Sequence, residues 1–331
     1  MGCAGACCGR AAADAAPDAV HPAGAGDVRF RGARDGQSPR RPAVRPRPRS
    51  GRRSAPLGGD RRAGGAVVRH VRLLRADNPS PYTLSGTNTW VVADGGEVVV
   101  IDPGPALPAH LDAIARTVGD RRVVAVVLTH GHLDHSEGAA ELAAWLDAPV
   151  RGADPAFCEG TAPLRDGERL RIGEIDLDVL TTPGHSRDSV CFVADVDHVV
   201  FTGDTVLGAG SSLVAWPDGN LAAYLDSLER LAGLIAARNL LLVAPGHGPL
   251  RRDAARLVDH YRTHRSERLD QVREAVREGA RDADAVFARV YGREVSDELA
   301  AAARTTLLAQ LDFLYRRAEL PADFAVTWLD G

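Results

Sequence analysis

The sequence predicts an α/β protein with a helical region at its C-terminal end, and three observations lead to this fold class. Short apolar runs of strand length recur along the middle of the chain, with segments of helical periodicity between them. From residue 251 to about residue 316, apolar positions recur at helical spacing. Four apolar runs lead into a polar residue with metal-binding chemistry, over residues 123–128, 177–180, 199–201 and 240–243. Because open α/β sheets bind ligands at the carboxyl ends of their strands, these polar residues are expected to converge.

Length and composition are those of an ordinary globular protein. The chain has 331 residues, of which 45% are hydrophobic and 25% charged, enough for one large domain, a smaller one and a tail. No apolar run approaches the roughly 20 residues that span a bilayer. The five cysteines include no Cys-x-x-Cys pair, which argues against a disulfide framework. With no signal-peptide core either, the sequence predicts a soluble, cytoplasmic protein without a membrane partner.

Charge is distributed unevenly along the chain. Residues 1–66 carry 13 arginines against 5 acidic residues, residues 67–250 carry 13 against 24, and residues 251–331 carry 14 against 15. The first segment lacks apolar periodicity and is predicted to be a disordered, solvated tail, with a nucleic-acid-binding arm as the alternative. Non-specific nucleic-acid binding usually needs a basic folded face. The composition of the other two segments does not predict one.

The first half of the foldable sequence, which begins near Val67, is predicted to alternate strands with helices. Gly95-Gly96 has the composition of a hairpin turn, and Asp102-Pro103-Gly104 ends the strand that follows. Strands are predicted over residues 67–74, 89–93, 98–101 and 123–128, and helices over residues 110–118 and 137–146.

The second half repeats the order of strand, loop and polar residue. The three polar residues are His185 after strand 177–180, Asp204 after strand 199–201 and His247 after strand 240–243. Together with the strand that ends at residue 128, four strands are each followed by a ligand-type side chain, which is more than chance would produce. The pattern therefore indicates one site at a common edge.

The last part of the chain is predicted to form a separate helical, winged-helix-like appendage. Apolar positions follow helical spacing through a long charged helix, at Leu257, Val258, Tyr261, Leu269, Val272 and Val276. Two further helices are predicted over residues 283–290 and 296–316, and a small hairpin over residues 321–329. The predicted division is a tail over 1–66, a main domain over 67–250 and the appendage over 251–331.

Residues 128–135, Leu-Thr-His-Gly-His-Leu-Asp-His, have the composition of a metal site. Three imidazoles and one carboxylate fall within six residues, directly after the predicted central strand. His130 and His132 can turn both rings toward one ion, while Asp134 and His135 project toward a second point. Nitrogen and carboxylate ligands without thiolate suit zinc, manganese or iron. For one histidine an ordinary hydrogen-bonded loop is the better interpretation, but three with an aspartate favour metal.

The order of these residues resembles that of the metallo-β-lactamase superfamily of binuclear hydrolases. His-x-His-x-Asp-His at 130–135 is followed by His185, Asp204 and His247. A narrower resemblance, to the lactamase-beta-like protein 2 group, rests on residues 78–90, 202–208 and 245–249 and on the helical tail. The resemblance implies an αββα sandwich with the metals at one edge of two packed sheets.

The superfamily resemblance also implies the ligands of two divalent ions, zinc first, with Mn²⁺ or Fe²⁺ as alternatives. The first ion would be held by His130, His132 and His185, and the second by Asp134, His135 and His247. Asp204 would bridge both ions together with a hydroxide. Asp102 matches an aspartate that supports the histidine loop without touching metal.

At several positions this sequence differs from other families of the superfamily, which makes membership of those families less suitable. Asp204 stands where the commonest true β-lactamases have a cysteine, and His132 where flavodiiron reductases have a glutamate. The chain contains no lysine, whereas glyoxalase II enzymes use lysines in their tail to bind glutathione. Only 42 residues separate Asp204 from His247, too few for the inserted domain of the processing nucleases.

The predicted function is metal-dependent hydrolysis by the bridging hydroxide, with Asp134 and Asp204 as catalytic residues that orient it. The favoured substrate is a phosphodiester, single-stranded RNA, because the resembled group includes endoribonucleases; the acidic main domain speaks against it. One alternative is a thioester or small-ester hydrolase with glyoxalase II-like chemistry, which the missing basic groove favours. The other is an oxidoreductase of the persulfide dioxygenase kind with one iron, which the complete second ligand set makes less suitable. No general acid can be placed from the sequence.

Overall fold

Two five-stranded sheets form the centre of the computed structural model, which describes residues 68–292 and 295–330. The first sheet contains, in order across it, β1 (Val71–Arg75), β2 (Asn88–Asp94), β3 (Glu97–Ile101), β4 (Arg122–Val127) and β5 (Val150–Arg151). The second contains β6 (Arg169–Ile172), β7 (Ile175–Thr181), β8 (Val190–Ala194), β9 (Val199–Gly203) and β10 (Leu242–Pro245), in the order β10-β9-β8-β7-β6. The predicted tail over residues 1–66 lies outside the described residues.

Both sheets are mixed. In the first, β1, β2 and β3 are antiparallel, and β3, β4 and β5 are parallel. In the second, only β9 and β10 pair in parallel. The hairpin predicted at Gly95-Gly96 is confirmed, because Asp94 pairs with Glu97 across it. Parallel neighbours end at the same edge of a sheet, which is where their ligand-type residues follow.

Helices cover the outer faces of both sheets, and further helices follow at the C-terminal end. The helices of the described residues are α1 (Pro108–Val118), α2 (Leu133–Ser136), α3 (Ala139–Leu146), α4 (Leu221–Arg238), α5 (Ala254–Arg277), α6 (Ala283–Val290) and α7 (Asp297–Arg316). The second half of α5 packs with α6 and α7 in a further hydrophobic cluster. The sequence did not predict the helices α2 and α4 or the strands β5, β6 and β8. Across residues 68–292 and 295–330, no helix has the length and hydropathy needed to cross a bilayer.

Three hydrophobic clusters confirm the predicted αββα sandwich. One lies between the sheets and includes Phe192 and Phe201, both fully buried. A second packs α1 and α3 on the first sheet, and a third packs α4 and the first half of α5 on the second. The central strands are apolar on both sides because each faces a different cluster on each side.

Phe201 is the core side chain whose truncation we expect to cost most. Its ring meets Trp90 edge to face across the two sheets, with centroids 5.9 Å apart. Phe201→Ala should lower the free energy of unfolding by about 3–5 kcal/mol, because the cavity cannot collapse between two sheets. Urea unfolding measures this. Leu241→Ala, at a residue 49% exposed, should change it by only about 0.5 kcal/mol; equal losses would contradict the core assignment.

The predicted C-terminal helices are confirmed as α5, α6 and α7, but the hairpin predicted over residues 321–329 is wrong. A 3-10 turn over Thr327–Asp330 takes its place, and no strand occurs among the described residues after β10. Phe324 and Trp328 are both buried against the helices, with ring centroids 6.1 Å apart. This i, i+4 contact suits a turn better than a strand. A winged-helix arrangement is therefore not supported, and the domain boundary near residue 250 stays a prediction.

Candidate metal centre

The histidine loop leaves the end of β4 and runs directly into α2. His130 and His135 are buried, while His132 is exposed and caps the helix. Ser136 Oγ donates a hydrogen bond to the Gly131 carbonyl at 2.9 Å, which closes the loop. A Cβ at Gly131 would lie 2.2 Å from the Phe157 ring, so any larger residue would displace that ring. The predicted central strand and its loop are thus confirmed in position.

The other predicted ligands lie on loops of the second sheet. His185 follows β7, Asp204 follows β9 and His247 follows β10. A Cβ at Gly246 would lie 2.4 Å from Asp204 Oδ1, so this glycine permits the close approach of the two loops. The four strands predicted to deliver ligands do so at one edge of the sandwich.

Asn88 and Trp90 position the loop of His247, a role that the sequence did not reveal. The Asn88 amide donates to the carbonyls of Pro245 at 3.0 Å and Gly248 at 2.8 Å. The Trp90 indole also donates to Pro245, at 3.0 Å. Both residues belong to β2, so the first sheet fixes a ligand of the second. Their place in the resembled segment 78–90 was the available signal.

The first group of candidate ligands joins His130, His132 and His185. His132 Nδ1 lies 2.9 Å from His130 Nε2 and 3.1 Å from His185 Nε2. The ligand atoms of all three lie within 4.8 Å of one another. His185 Nδ1 donates to the Leu213 carbonyl at 2.6 Å, which leaves Nε2 free to face the group. A neutral imidazole fixed in this way is the form that binds metal.

The second group joins Asp134, His135 and His247, also within 4.8 Å. His247 Nε2 lies 3.1 Å from Asp134 Oδ2 and 3.2 Å from His135 Nε2. Asp204 lies between the groups, because its carboxylate is 3.4 Å from His247 Nε2 and 3.9 Å from His185 Nε2. The structure therefore brings all seven predicted ligands together.

Asp102 supports the histidine loop from behind. It is 1% exposed and accepts hydrogen bonds from Thr129 N at 2.7 Å, Thr129 Oγ1 at 2.6 Å and His135 Nδ1 at 2.9 Å. Its φ of 51° lies in the left-handed region, which aspartate tolerates better than most residues. The bond to His135 directs the other ring nitrogen, Nε2, toward the second group.

The electrostatics of the centre follow from burial and from two carboxylates. Burial lowers the pKa of His185 to about 4, so its ring is neutral. Burial also acts to lower the pKa of His247, but Asp204 and Asp134 outweigh it and raise that pKa to about 10. Burial opposes ionisation of Asp204, yet His247 and His135 hold its pKa well below the usual value. The carboxylate charge thus stays in the centre.

The residues present fit a bound divalent metal. Asp204 Oδ1 and His247 Nδ1 are buried, and neither has a hydrogen-bond partner in the part of the chain that the structure describes. The ring nitrogens of His135 and His247 face each other at 3.2 Å, which requires a proton or a cation between them. Imidazole and carboxylate donors suit zinc, manganese and iron. The identity and number of the ions stay predictions.

The αββα sandwich with histidines and aspartates gathered at one edge defines a metallohydrolase-type fold and site. Residues 82–247 match the family model of the Metallo-beta-lactamase superfamily, and the chain belongs to this superfamily. Among solved structures, a β-lactamase domain protein from Burkholderia ambifaria is 26% identical with a TM-score of 0.63, and the match covers 75% of this chain and 87% of that one. The resemblance inferred from the ligand order is confirmed.

Two curated relatives are each about a third identical to this chain. An atrochrysone carboxyl ACP thioesterase of Aspergillus chevalieri is 35% identical over 215 residues, which cover 63% of this chain and 66% of that protein. Lactamase-like protein aptB of Emericella nidulans is 34% identical over 209 residues, covering 62% and 64%. With a third relative at 50%, the chain spans about half to two thirds of the length of such relatives.

The prediction of single-stranded RNA as the favoured substrate is wrong. Three of the relatives, from three fungi, are named atrochrysone carboxyl ACP thioesterases, which points to thioester hydrolysis and not to RNA cleavage. The charge distribution gives the physical reason, since residues 67–250 carry 24 acidic residues against 13 arginines. A phosphate backbone binds through clustered basic side chains. The endoribonuclease-like interpretation is withdrawn with it.

Proposed function

We propose that this protein hydrolyses acyl thioesters carried by an acyl carrier protein, in a reaction that depends on divalent metal. The observation that carries the proposal is the complete pair of ligand groups in a chain 35% identical to a named thioesterase. Because the chain spans only part of these relatives, the activity, the substrate and the carrier all belong to the proposal.

Each side chain of the centre has a role in this proposal. One ion would be held by His130, His132 and His185 and the other by Asp134, His135 and His247, with Asp204 between them. When bound, such ions lower the pKa of water to about 7 and polarise a carbonyl. Asp134 is the more exposed of the two carboxylates, with 31% of its side chain accessible against 14% for Asp204. Asp134 is therefore the carboxylate better placed to accept a proton from water and release it to solvent.

A thioester also explains why no general acid is needed. A thiol has an ordinary pKa of about 8.5, so it leaves as a thiolate without being protonated first. An alkoxide leaving group is far more basic and would need a proton donor. The chemistry that this chain can supply, orientation and proton acceptance by Asp134 and Asp204, is sufficient for the first case.

The experiment is a thioester panel with and without chelator. We expect metal-replete protein to release thiol from acyl-pantetheine, acyl-coenzyme A and acyl carrier protein thioesters. Dipicolinate should reduce the rate on the order of 10³-fold, since several kcal/mol of transition-state stabilisation depend on the ions. Added Zn²⁺, Mn²⁺ or Fe²⁺ should restore it. Thiol release is followed by its reaction with a disulfide dye.

Two controls make this result decisive. Matched oxygen esters test whether the leaving group matters, and they should react more slowly because their alkoxide leaves less readily. Inertness of the metal-replete protein toward every thioester would overturn the proposal, as would turnover that chelator leaves unchanged. Two neighbouring ligand groups favour two ions over the one-iron dioxygenase centre; elemental analysis with a single iron per chain would reverse that preference.

A further inference from the structure

A cationic cleft lies along the first half of α5, outside the metal centre. It consists of two adjoining cavities of about 330 and 390 Å³ that share His260. Arg251 and Arg256 line the larger cavity, and Ser211 and His264 line the smaller one. We call this feature the α5 cleft. Its lining consists mainly of groups that can donate hydrogen bonds to an anion.

The charge of the α5 cleft differs from that of residues 67–250. Two arginines, Arg251 and Arg256, and one aspartate, Asp253, line the cleft, whereas residues 67–250 carry 24 acidic residues against 13 arginines. Arg251 is held by both oxygens of Asp253, at 2.7 and 3.1 Å. Arg256 is exposed, and no described residue forms a hydrogen bond or an ion pair with its side chain. The charge of Asp253 acts on Arg256 through space, but the N–H donors of Arg256 stay available, and an arginine of this kind in a concave surface attracts an anion.

One short loop connects the cleft with the metal centre. The Tyr261 hydroxyl accepts a hydrogen bond from Leu207 N at 3.0 Å and donates one to the Gly210 carbonyl at 3.2 Å. At the end of the same loop, Ser212 Oγ donates to the Asp204 carbonyl at 2.5 Å. Gly210 and Ser211 are exposed toward the cleft, and Ser212 is buried. The loop from Asp204 to Ser212 therefore contacts the α5 cleft and carries a candidate metal ligand at its start.

We propose that the α5 cleft binds the phosphate of the phosphopantetheine arm that carries the acyl thioester, an inference that rests on the proposed thioesterase function. This arm bears the thioester at one end and a phosphate at the other, joined by a flexible chain. The phosphate therefore needs its own site, away from the reacting carbonyl. Arg256 supplies a charge-assisted donor of the kind that phosphate prefers, and the His260 ring supplies a further N–H donor. Binding energy from this remote group positions the thioester at the metals.

The test compares thioesters that differ only in phosphate. For the whole protein, KM should be about tenfold lower for acyl-phosphopantetheine than for acyl-pantetheine, with similar kcat, since one charge-assisted contact supplies about that factor. Arg256→Ala should raise KM for the phosphorylated substrate about tenfold and leave acyl-pantetheine unchanged. Arg116→Ala, at an exposed arginine on α1, should change neither. Equal KM values for the two substrates would overturn the assignment.

Direct binding separates this inference from the proposed function. Calorimetry with phosphopantetheine itself, which has no ester, should show binding that Arg256→Ala weakens about tenfold. That result without turnover of any thioester would support the phosphate site and reject the hydrolase. Turnover of thioesters without binding of phosphopantetheine would support the hydrolase and reject the phosphate site. A low KM for acyl-coenzyme A but not for the carrier-protein thioester would reject the carrier protein as the source of the arm.

Discussion

Asp204→Asn is expected to reduce turnover on the order of 10³-fold or more and to remove at least one metal equivalent. Asp204 contacts histidines of both ligand groups, at 3.4 Å from His247 Nε2 and 3.9 Å from His185 Nε2. An amide has the shape of the carboxylate but lacks its charge and is a poor metal ligand. Several kcal/mol of transition-state stabilisation depend on such charge, which corresponds to that loss in rate.

The fold should survive this substitution, because the loop is held through its main chain. Ser212 Oγ bonds the Asp204 carbonyl, and Gly246 N donates to the Gly203 carbonyl at 2.8 Å. Elemental analysis and thermal unfolding with and without metal measure the effect. Since metal stabilises only the folded state, the metal-dependent rise in Tm should shrink in the variant.

Asp226→Asn is the matched control for Asp204→Asn. It makes the same chemical change at an exposed aspartate of α4 and should alter neither metal content nor turnover. An Asp204→Asn protein with two metal equivalents and full turnover would show that the bridging role belongs to another residue.

Asp102→Asn is expected to weaken metal binding by about 10–100-fold without adding or removing a metal ligand. The carboxylate now accepts from Thr129 and from His135 Nδ1, so His135 presents Nε2 as a lone pair. The amide would instead donate to Nδ1, and the ring proton would move to Nε2. His135 would then point an N–H at the position where a metal ligand is required.

Stability should fall as well, by about 1–3 kcal/mol, because a buried donor of Thr129 loses its acceptor. Metal titration in a competing chelator measures the affinity, and urea unfolding in excess chelator measures the stability. Asparagine tolerates the left-handed backbone at this position, so strain does not confuse the result. Asp112→Asn, exposed on α1, serves as control; unchanged metal affinity in Asp102→Asn would contradict the supporting role.

Some features could not be predicted from local pattern. The strand β8 is apolar throughout and runs antiparallel to its neighbours. No ligand-type residue follows it, whereas an apolar run followed by such a residue is the pattern that predicts β7, β9 and β10. The helix α4 was overlooked although Asn220 caps it by accepting from Ala223 N at 2.9 Å. The hairpin near Trp328 failed because burial against helices, and not local propensity, decides the conformation there.

The substrate was the largest error, and it too has a physical reason. The order of the candidate ligands predicts a metal centre, but a centre of this kind is chemically compatible with cleavage of either phosphodiesters or thioesters. The charge of residues 67–250 was the signal in the sequence that distinguishes RNA from an uncharged thioester as substrate, and their net negative charge disfavours RNA. The cationic side chains of the α5 cleft lie in a segment of nearly balanced charge, so composition alone does not reveal them.

By itself the sequence determined the superfamily, and it predicted four ligand-bearing strands and seven candidate ligands, whose side chains the structure brings together. It could do so because strand length, apolar periodicity and ligand chemistry are local properties of the chain. Only the tertiary structure decided which ring nitrogens face each other, which carboxylate stays exposed, and how Asn88 and Trp90 of one sheet hold the His247 loop of the other. The contacts of Asn88 and Trp90 with the His247 loop, and of the His135 ring with the His247 ring, join residues more than 100 positions apart, which burial of the common core brings together.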